Sequence, residues 1–258
     1  MSRILILMSY FNRPILVRNA LNSILLANEH HSDWELAFGD DGSEIPGKPI
    51  VEDVLKDHLD KVTFVHSGMT FEDKIRKGLM LGDMANKAIQ ESSADAAIIL
   101  CDDDELVPMY LKRLSDFFDR NPRIMHCYSK IFLYNPLLQE SKDVKRQAIG
   151  KFNQWDEPIN PVRKVDATQV AWRLSCCKKH GAWFGNSTKK VQGKPWTSDT
   201  DKSLFENLYS RCGLCYPTGF AGQFKGTHDY QLLWHKNVAP ASLWAYDKMC
   251  RELGGVEF

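Results

Sequence analysis

Carboxylates set the chemistry this chain can attempt. Asp102, Asp103 and Asp104 are consecutive, Glu105 follows them, and the run abuts the apolar Ile98-Ile99-Leu100. Such charges side by side repel one another strongly unless a cation neutralises them, and hard oxygen donors favour Mg²⁺ or Mn²⁺. A second acidic pair, Asp40-Asp41, follows the apolar residues 34–38 and leads into Gly42-Ser43. A third polar cluster, Ser9, Tyr10, Asn12 and Arg13, closes the aliphatic run at 4–8. Singly, each has a plain structural account, since Asp-Asp-Gly-Ser is ordinary turn chemistry and an acidic run ahead of Pro108 suits a helix start. Two acidic clusters at equivalent places behind apolar runs favour a cation site over coincidence.

The elements that must carry these groups alternate. Residues 4–8 are aliphatic throughout, the signature of a strand covered on both faces. Pro14 suits a first helical turn, and Leu16, Ala20, Leu21, Ile24 and Leu25 recur as one stripe. Residues 34–38 and 62–65 read as strands, 51–59 as amphipathic, and 70–90 as a long helical or broken-helical stretch bearing Lys74, Arg76 and Lys77, with Gly78 and Gly82 as breaking points. Residues 96–101 read as another buried strand, and Pro108 opens a helix with Leu111, Leu114, Phe117 and Phe118 on one face, ended by Asn121-Pro122. This alternation implies a parallel sheet with right-handed crossovers, whose ligands lie outside the carboxyl ends of the strands. All three polar clusters are expected at one crevice.

Composition narrows the field. With 43% hydrophobic and 26% charged residues among 258, disorder, collagen and coiled coil are excluded as whole-chain descriptions. Lys+Arg and Asp+Glu balance at 33 each, so no global field recruits nucleic acid or anionic lipid. A nucleic-acid partner would rest on local basic stretches such as 142–146 and 189–190, which read as solvated surface. No apolar run is long enough to span a bilayer or serve as a signal-peptide core, and a cytoplasmic location is expected. The seven cysteines, an odd count, read as free thiols in preference to a zinc site at Cys176, Cys177, Cys212 and Cys215. His30-His31 reads as a solvated loop pair.

On these residues the chain resembles glycosyltransferase family 2, enzymes of the GT-A fold that use nucleotide-diphosphate sugars. Residues 4–14 look like that family's opening strand and nucleotide loop. Asp40-Asp41-Gly42-Ser43 is similar to its second-strand motif, where an aspartate meets the nucleobase, and Asp102-Asp103-Asp104 with Pro108 resembles its aspartate-x-aspartate metal motif. Residues 165–173, then Trp183-Phe184, then Ser198-Asp199-Thr200-Asp201 resemble its acceptor half and base-bearing acidic motif. The resemblance implies an α/β, GT-A-like open and mainly parallel twisted sheet with helices on both faces and a smaller C-terminal acceptor subregion. Residues 1–134 would bind nucleotide-sugar and metal, 135–164 would form an irregular insertion or loop, and 165–258 would bind acceptor and carry the base, all within one continuous domain.

The resemblance also implies a metal-dependent, inverting transfer of a sugar to a hydroxyl. Mn²⁺ or Mg²⁺ would be held among Asp102, Asp103 and Asp104, with His228 completing the shell. Ser9, Tyr10, Asn12, Arg13, Asp40, Asp41, Arg76, Lys77, Asp102 and Asp103 would contact the donor, a UDP-sugar being the commoner class in the family. Asp199 or Asp201 would act as base, and Trp196 and Trp172 would offer acceptor platforms. The acceptor, on a glycan, a lipid-linked glycan or a modified nucleic acid, is not named by the sequence. Two departures stand out: Ser198 where the family often has glutamate, and Cys101 where many members carry another acid. Two rivals are a nucleotide-sugar binding protein without catalysis and a metal-dependent phosphoryl-transfer enzyme; the second lacks a P-loop glycine-lysine motif.

Overall fold

The computed structural model describes residues 1–66, 81–134, 150–152, 157–162, 165–185 and 200–226. The aliphatic run becomes β1 (Ile4–Tyr10), followed by α1 (Pro14–Asn28), β2 (Trp34–Asp40), α2 (Lys48–Val54) and β3 (Val62–His66). Next come α3 (Leu81–Glu91), β4 (Ala96–Ile99), β5 (Asp104–Leu106), α4 (Tyr110–Arg120), β6 (His126–Tyr134) and β7 (Gly150–Phe152). The last described elements are β8 (Val170–Arg173), α5 (Leu174–Lys178), α6 (Thr200–Cys212) and β9 (Tyr216–Gly226). The strands form one sheet in the order β3-β2-β1-β4-β8-β6-β9-β5, with β7 paired to β6. From β3 to β4 every pairing is parallel; β8 pairs antiparallel with β4 and β6, β6 and β9 are parallel, and β5 is antiparallel to β9.

Alternation along β1 explains why residues 4–8 are apolar at every position. Ile4, Ile6, Met8 and Tyr10 join one core with Val17, Leu21 and Ile24 of α1, while Leu5 and Leu7 join the opposite core with Met84, Ala85 and Ala88 of α3. Burying each Ile, Leu, Val or Met side chain among these contributes roughly 1.5–3 kcal/mol. Pro14 opens α1 as expected.

Several expectations need correction. Asp104–Leu106, part of the acidic run that suits a helix start, is a strand, because the chain doubles back after β4 and pairs antiparallel with β9. The amides of β5 that face away from β9 are also used: Asp104 N donates to Cys101 O at 3.1 Å and Leu106 N to Ser23 Oγ of α1 at 2.9 Å. Within the stretch read as irregular, Gly150–Phe152 pairs with β6, and Ile159 bridges to Cys215. Of the helical or broken-helical stretch read over 70–90, residues 70–80 lie outside the described residues, and Leu81–Glu91 is a helix. His30 is exposed, but His31 is buried, and that burial lowers its pKa. Among the described residues no helix is long and apolar enough to cross a membrane.

Candidate active site

Register brings the three polar clusters to one end of the parallel half. Tyr10 is level with Asp40, Leu7 with Ile99, and Leu100 N donates to Leu7 O at 3.0 Å, so the chain after β4 emerges beside the end of β1. The first two loops are laced together by hydrogen bonds. Asn12 N donates to Ser43 Oγ and Ile45 N to Asn12 Oδ1, both at 3.1 Å, while Tyr10 Oη donates to Ile45 O at 3.0 Å. Asn12 sits at φ 52°, a left-handed conformation that asparagine tolerates better than most side chains. Its buried Nδ2 has no hydrogen-bond partner among the described residues.

The three aspartates divide their work. Asp102 turns inward: its carboxylate accepts from Phe11 N at 3.1 Å and from Arg13 Nη1 at 2.8 Å. The same Arg13 nitrogen lies 2.9 Å from Asp103, and the guanidinium and both carboxylates are about nine-tenths buried or more. Burial, the largest influence, pushes the Asp102 carboxyl up to about 6; Arg13 and the Phe11 N–H pull it down, and the charge of Asp103 pushes it further up. The turn closed by Asp104 N on Cys101 O then gathers a different set. Cys101, Asp103 and Asp104 each present one donor atom, all within 4.8 Å of one another, and Asp102 stands outside this group. Two carboxylate oxygens and a sulfur at that spacing fit a divalent cation.

Other expected residues fall as follows. Ser9 is half-buried, whereas the Tyr10 ring is fully buried and stacked on Phe38 at 5.8 Å, so it builds the crevice wall and presents no face to a donor. Asp40 accepts from Ser43 N and Gly47 N, both at 2.9 Å, and thereby shapes the second loop; Asp41 is buried and donates its N–H to Tyr10 O. Trp172 is corrected: β8 pairs Trp172 with Ala97, and the indole packs against Phe184 at 5.9 Å in the core, unavailable as an acceptor platform. Asp201 lies in the first turn of α6. Arg76, Lys77, Trp196, Asp199 and His228 lie outside the described residues.

Sequence reasoning missed Ser43 as the partner of Asn12 and Gln223 as a brace. Gln223 Nε2 donates to Ile99 O at 2.8 Å and Thr168 O at 2.9 Å, tying β9 to the end of β4 behind the acids. Ser43 was visible in its motif, but nothing in sequence marks a glutamine 124 positions from Ile99. The cysteines of the rejected zinc reading are free thiols, and among the described residues Cys101, Asp103 and Asp104 form the only group with metal-ligand spacing. Burial raises the thiols of Cys176, Cys177, Cys212 and Cys215 above their ordinary range.

A sheet whose parallel strands end in an aspartate-rich turn defines the class of protein. Residues 5–157 match the sequence model described as glycosyl transferase family 2, and the chain belongs to that family. Among solved structures it is similar to residues 1–349 of S. aureus TarS, at 14% identity and a TM-score of 0.59, covering 90% of this chain and 63% of that one. It is also similar to the same protein with UDP-GlcNAc, at 13% identity and a TM-score of 0.60, covering 87% and 58%. Against the longer TarS structure the figures are 12%, 0.58, 97% and 43%. The chain thus spans less than two thirds of the TarS chains it resembles, and the likeness is one of fold. No curated protein matches its sequence.

Proposed function

We propose that this glycosyltransferase moves a sugar from a uridine-diphosphate donor to an acceptor hydroxyl with inversion, using a divalent cation, Mn²⁺ or Mg²⁺. The observation that carries the reading is the convergence, at the ends of β1, β2 and β4, of a buried Arg13–Asp102 pair with the Cys101, Asp103 and Asp104 donor group. The uridine donor is supported by the TarS structures, which hold UDP-GlcNAc and UDP on the same fold. When bound, the cation supplies charge neutralisation to the departing diphosphate.

The chain's own residues do the rest. Asp103 and Asp104 hold the cation, and Asp102 positions the first loop through Phe11 N and Arg13. Asn12 Nδ2, Ser9 and Asp41 line the nucleotide side, while Arg76 and Lys77 add positive charge at the diphosphate, where electrostatic stabilisation acts most strongly. Asp199, or Asp201 at the start of α6, takes the proton from the attacking hydroxyl on the face opposite the leaving group. Trp196 stacks on the acceptor, and His228 joins the cation.

Protection from thermal unfolding by a panel of nucleoside diphosphates, with and without Mn²⁺, tests the donor half. A metal-dependent shift with UDP that disappears in Asp103→Ala/Asp104→Ala is expected; no shift with any nucleotide and any metal overturns the reading. For the base, Asp199→Asn and Asp201→Asn are compared. One of them should abolish transfer while keeping UDP protection, and full turnover by both refutes the assignment.

A further inference from the structure

The turn at the end of β4 places a sulfur where the aspartate-rich motif alone would supply only oxygens. Cys101 immediately precedes the acids, its carbonyl accepts the Asp104 amide at 3.1 Å, and the resulting turn brings its thiol onto the same side as Asp103 and Asp104. Asp102 alone accepts the Phe11 amide and lies outside the donor group, whereas Asp103 shares the Arg13 nitrogen with it at 2.9 Å and still keeps a place in that group. The donor set is therefore one thiol and two carboxylates within 4.8 Å of one another, not three carboxylates. Cys101 forms no disulfide and is only partly buried.

Donor chemistry decides which ion such a set prefers. Carboxylate and water ligands suit Mg²⁺ and Mn²⁺, whereas a thiolate is soft and draws Zn²⁺ and other borderline transition ions. Mg²⁺ in addition holds its water shell tightly and gains little from sulfur. We propose that Cys101 is a direct metal ligand, making the centre a mixed thiolate–carboxylate site that selects transition-metal dications over Mg²⁺. On binding, the Cys101 S–H bond breaks, its electron pair forms the sulfur–metal bond, and the proton passes to buffer; no oxidant or reductant is involved. The inference rests on the reading that a divalent cation occupies this turn.

Co²⁺ is the probe, because a thiolate ligand gives it a near-ultraviolet charge-transfer band that carboxylates do not. The 258-residue chain, freed of metal with chelator, is titrated with Co²⁺ in the absence of nucleotide. Wild type should develop the band with one equivalent, Cys101→Ser should bind Co²⁺ about tenfold or more weakly without it, and Cys176→Ser should retain it. Cys101→Asp should lose the band and let millimolar Mg²⁺ compete with Co²⁺, which it should fail to do in wild type. Calorimetry on the same samples separates the failures. Co²⁺ bound by wild type without the band, or an unchanged band in Cys101→Ser, overturns the ligand assignment and leaves the glycosyltransferase reading standing. No binding by wild type, matching Asp103→Asn/Asp104→Asn, overturns both.

Discussion

Replacing Arg13 with methionine removes a buried charge while keeping most of the side-chain volume. In the folded protein the Arg13 guanidinium lies 2.8 Å from Asp102 and 2.9 Å from Asp103, with side-chain exposures of 9%, 7% and 11%. Solvent screening is weak at that burial, and charge centres about 4 Å apart interact by about 4 kcal/mol at an effective dielectric near 20. Loss of one member of a buried pair costs about 3–5 kcal/mol, mostly because the remaining charge stays desolvated. Arg13→Met should therefore lose about 4 kcal/mol in urea unfolding at pH 8 with chelator present. Asp102→Asn keeps the acceptor for Phe11 N and leaves Arg13 with Asp103, so it should cost less. The double variant should recover at least about 2 kcal/mol relative to the sum of the singles. An Arg13→Met loss below about 1 kcal/mol, the range of exposed pairs, or simple additivity in the double variant would refute the claim that this pair is buried and coupled.

Three other expectations follow from particular contacts. His126 is fully buried, with burial, opposed by its bond to Gly213 O, lowering its pKa from 6.5 to about 4. The unfolded chain thus takes up a proton as pH falls through 6.5 while the native state does not, so stability present above 6.5 declines by about 3 kcal/mol by pH 4. Urea midpoints between pH 7.5 and 4.5 should fall less steeply in His126→Gln, and parallel curves would contradict this. At Gly47, a Cβ would meet the buried rings of Phe38 and Tyr10 at 2.6 Å, so Gly47→Ala should lower stability by about 1–3 kcal/mol. UDP protection should weaken with it, because the same amide anchors Asp40; a wild-type melting curve would count against the packing argument. Gln223→Leu leaves the Ile99 and Thr168 carbonyls without their donor and should cost about 1–3 kcal/mol by urea unfolding, against no change if the brace is idle.

How far the sequence could be read depended on how local each cause was. The aliphatic run of β1 and the Pro14 helix start were legible because burial on both faces and a fixed φ leave marks in consecutive residues. The family resemblance sets Tyr10 among the donor contacts, whereas period-two alternation from Met8 puts its ring on the core face. The run Asp102 to Asp104 announced a charged strand end but not which carboxylate turns inward. That choice comes from the Phe11 amide, which is 91 positions away, and from a turn hydrogen bond invisible in composition. β5 has acidic residues and no strand propensity of its own; its pairing with β9, more than a hundred positions distant, creates it. Trp172 reads as a sugar platform only until β8 is seen to lie against β4 with the indole inside.

Among the described strands β5 stands at the border of the sheet, a placement that bears on solubility. Border strands usually offer a row of unused amides on which a second chain can nucleate β-aggregation. Here the strand is three residues long, and its outward amides at Asp104 and Leu106 are already taken by Cys101 O and Ser23 Oγ. Ser23 in turn donates to Ala20 O, so one hydroxyl on α1 both completes its own helix and seals the margin next to the acids. Ser23→Ala would free the Leu106 amide, and the first sign would be a protein that clumps on concentration while its monomer remains folded.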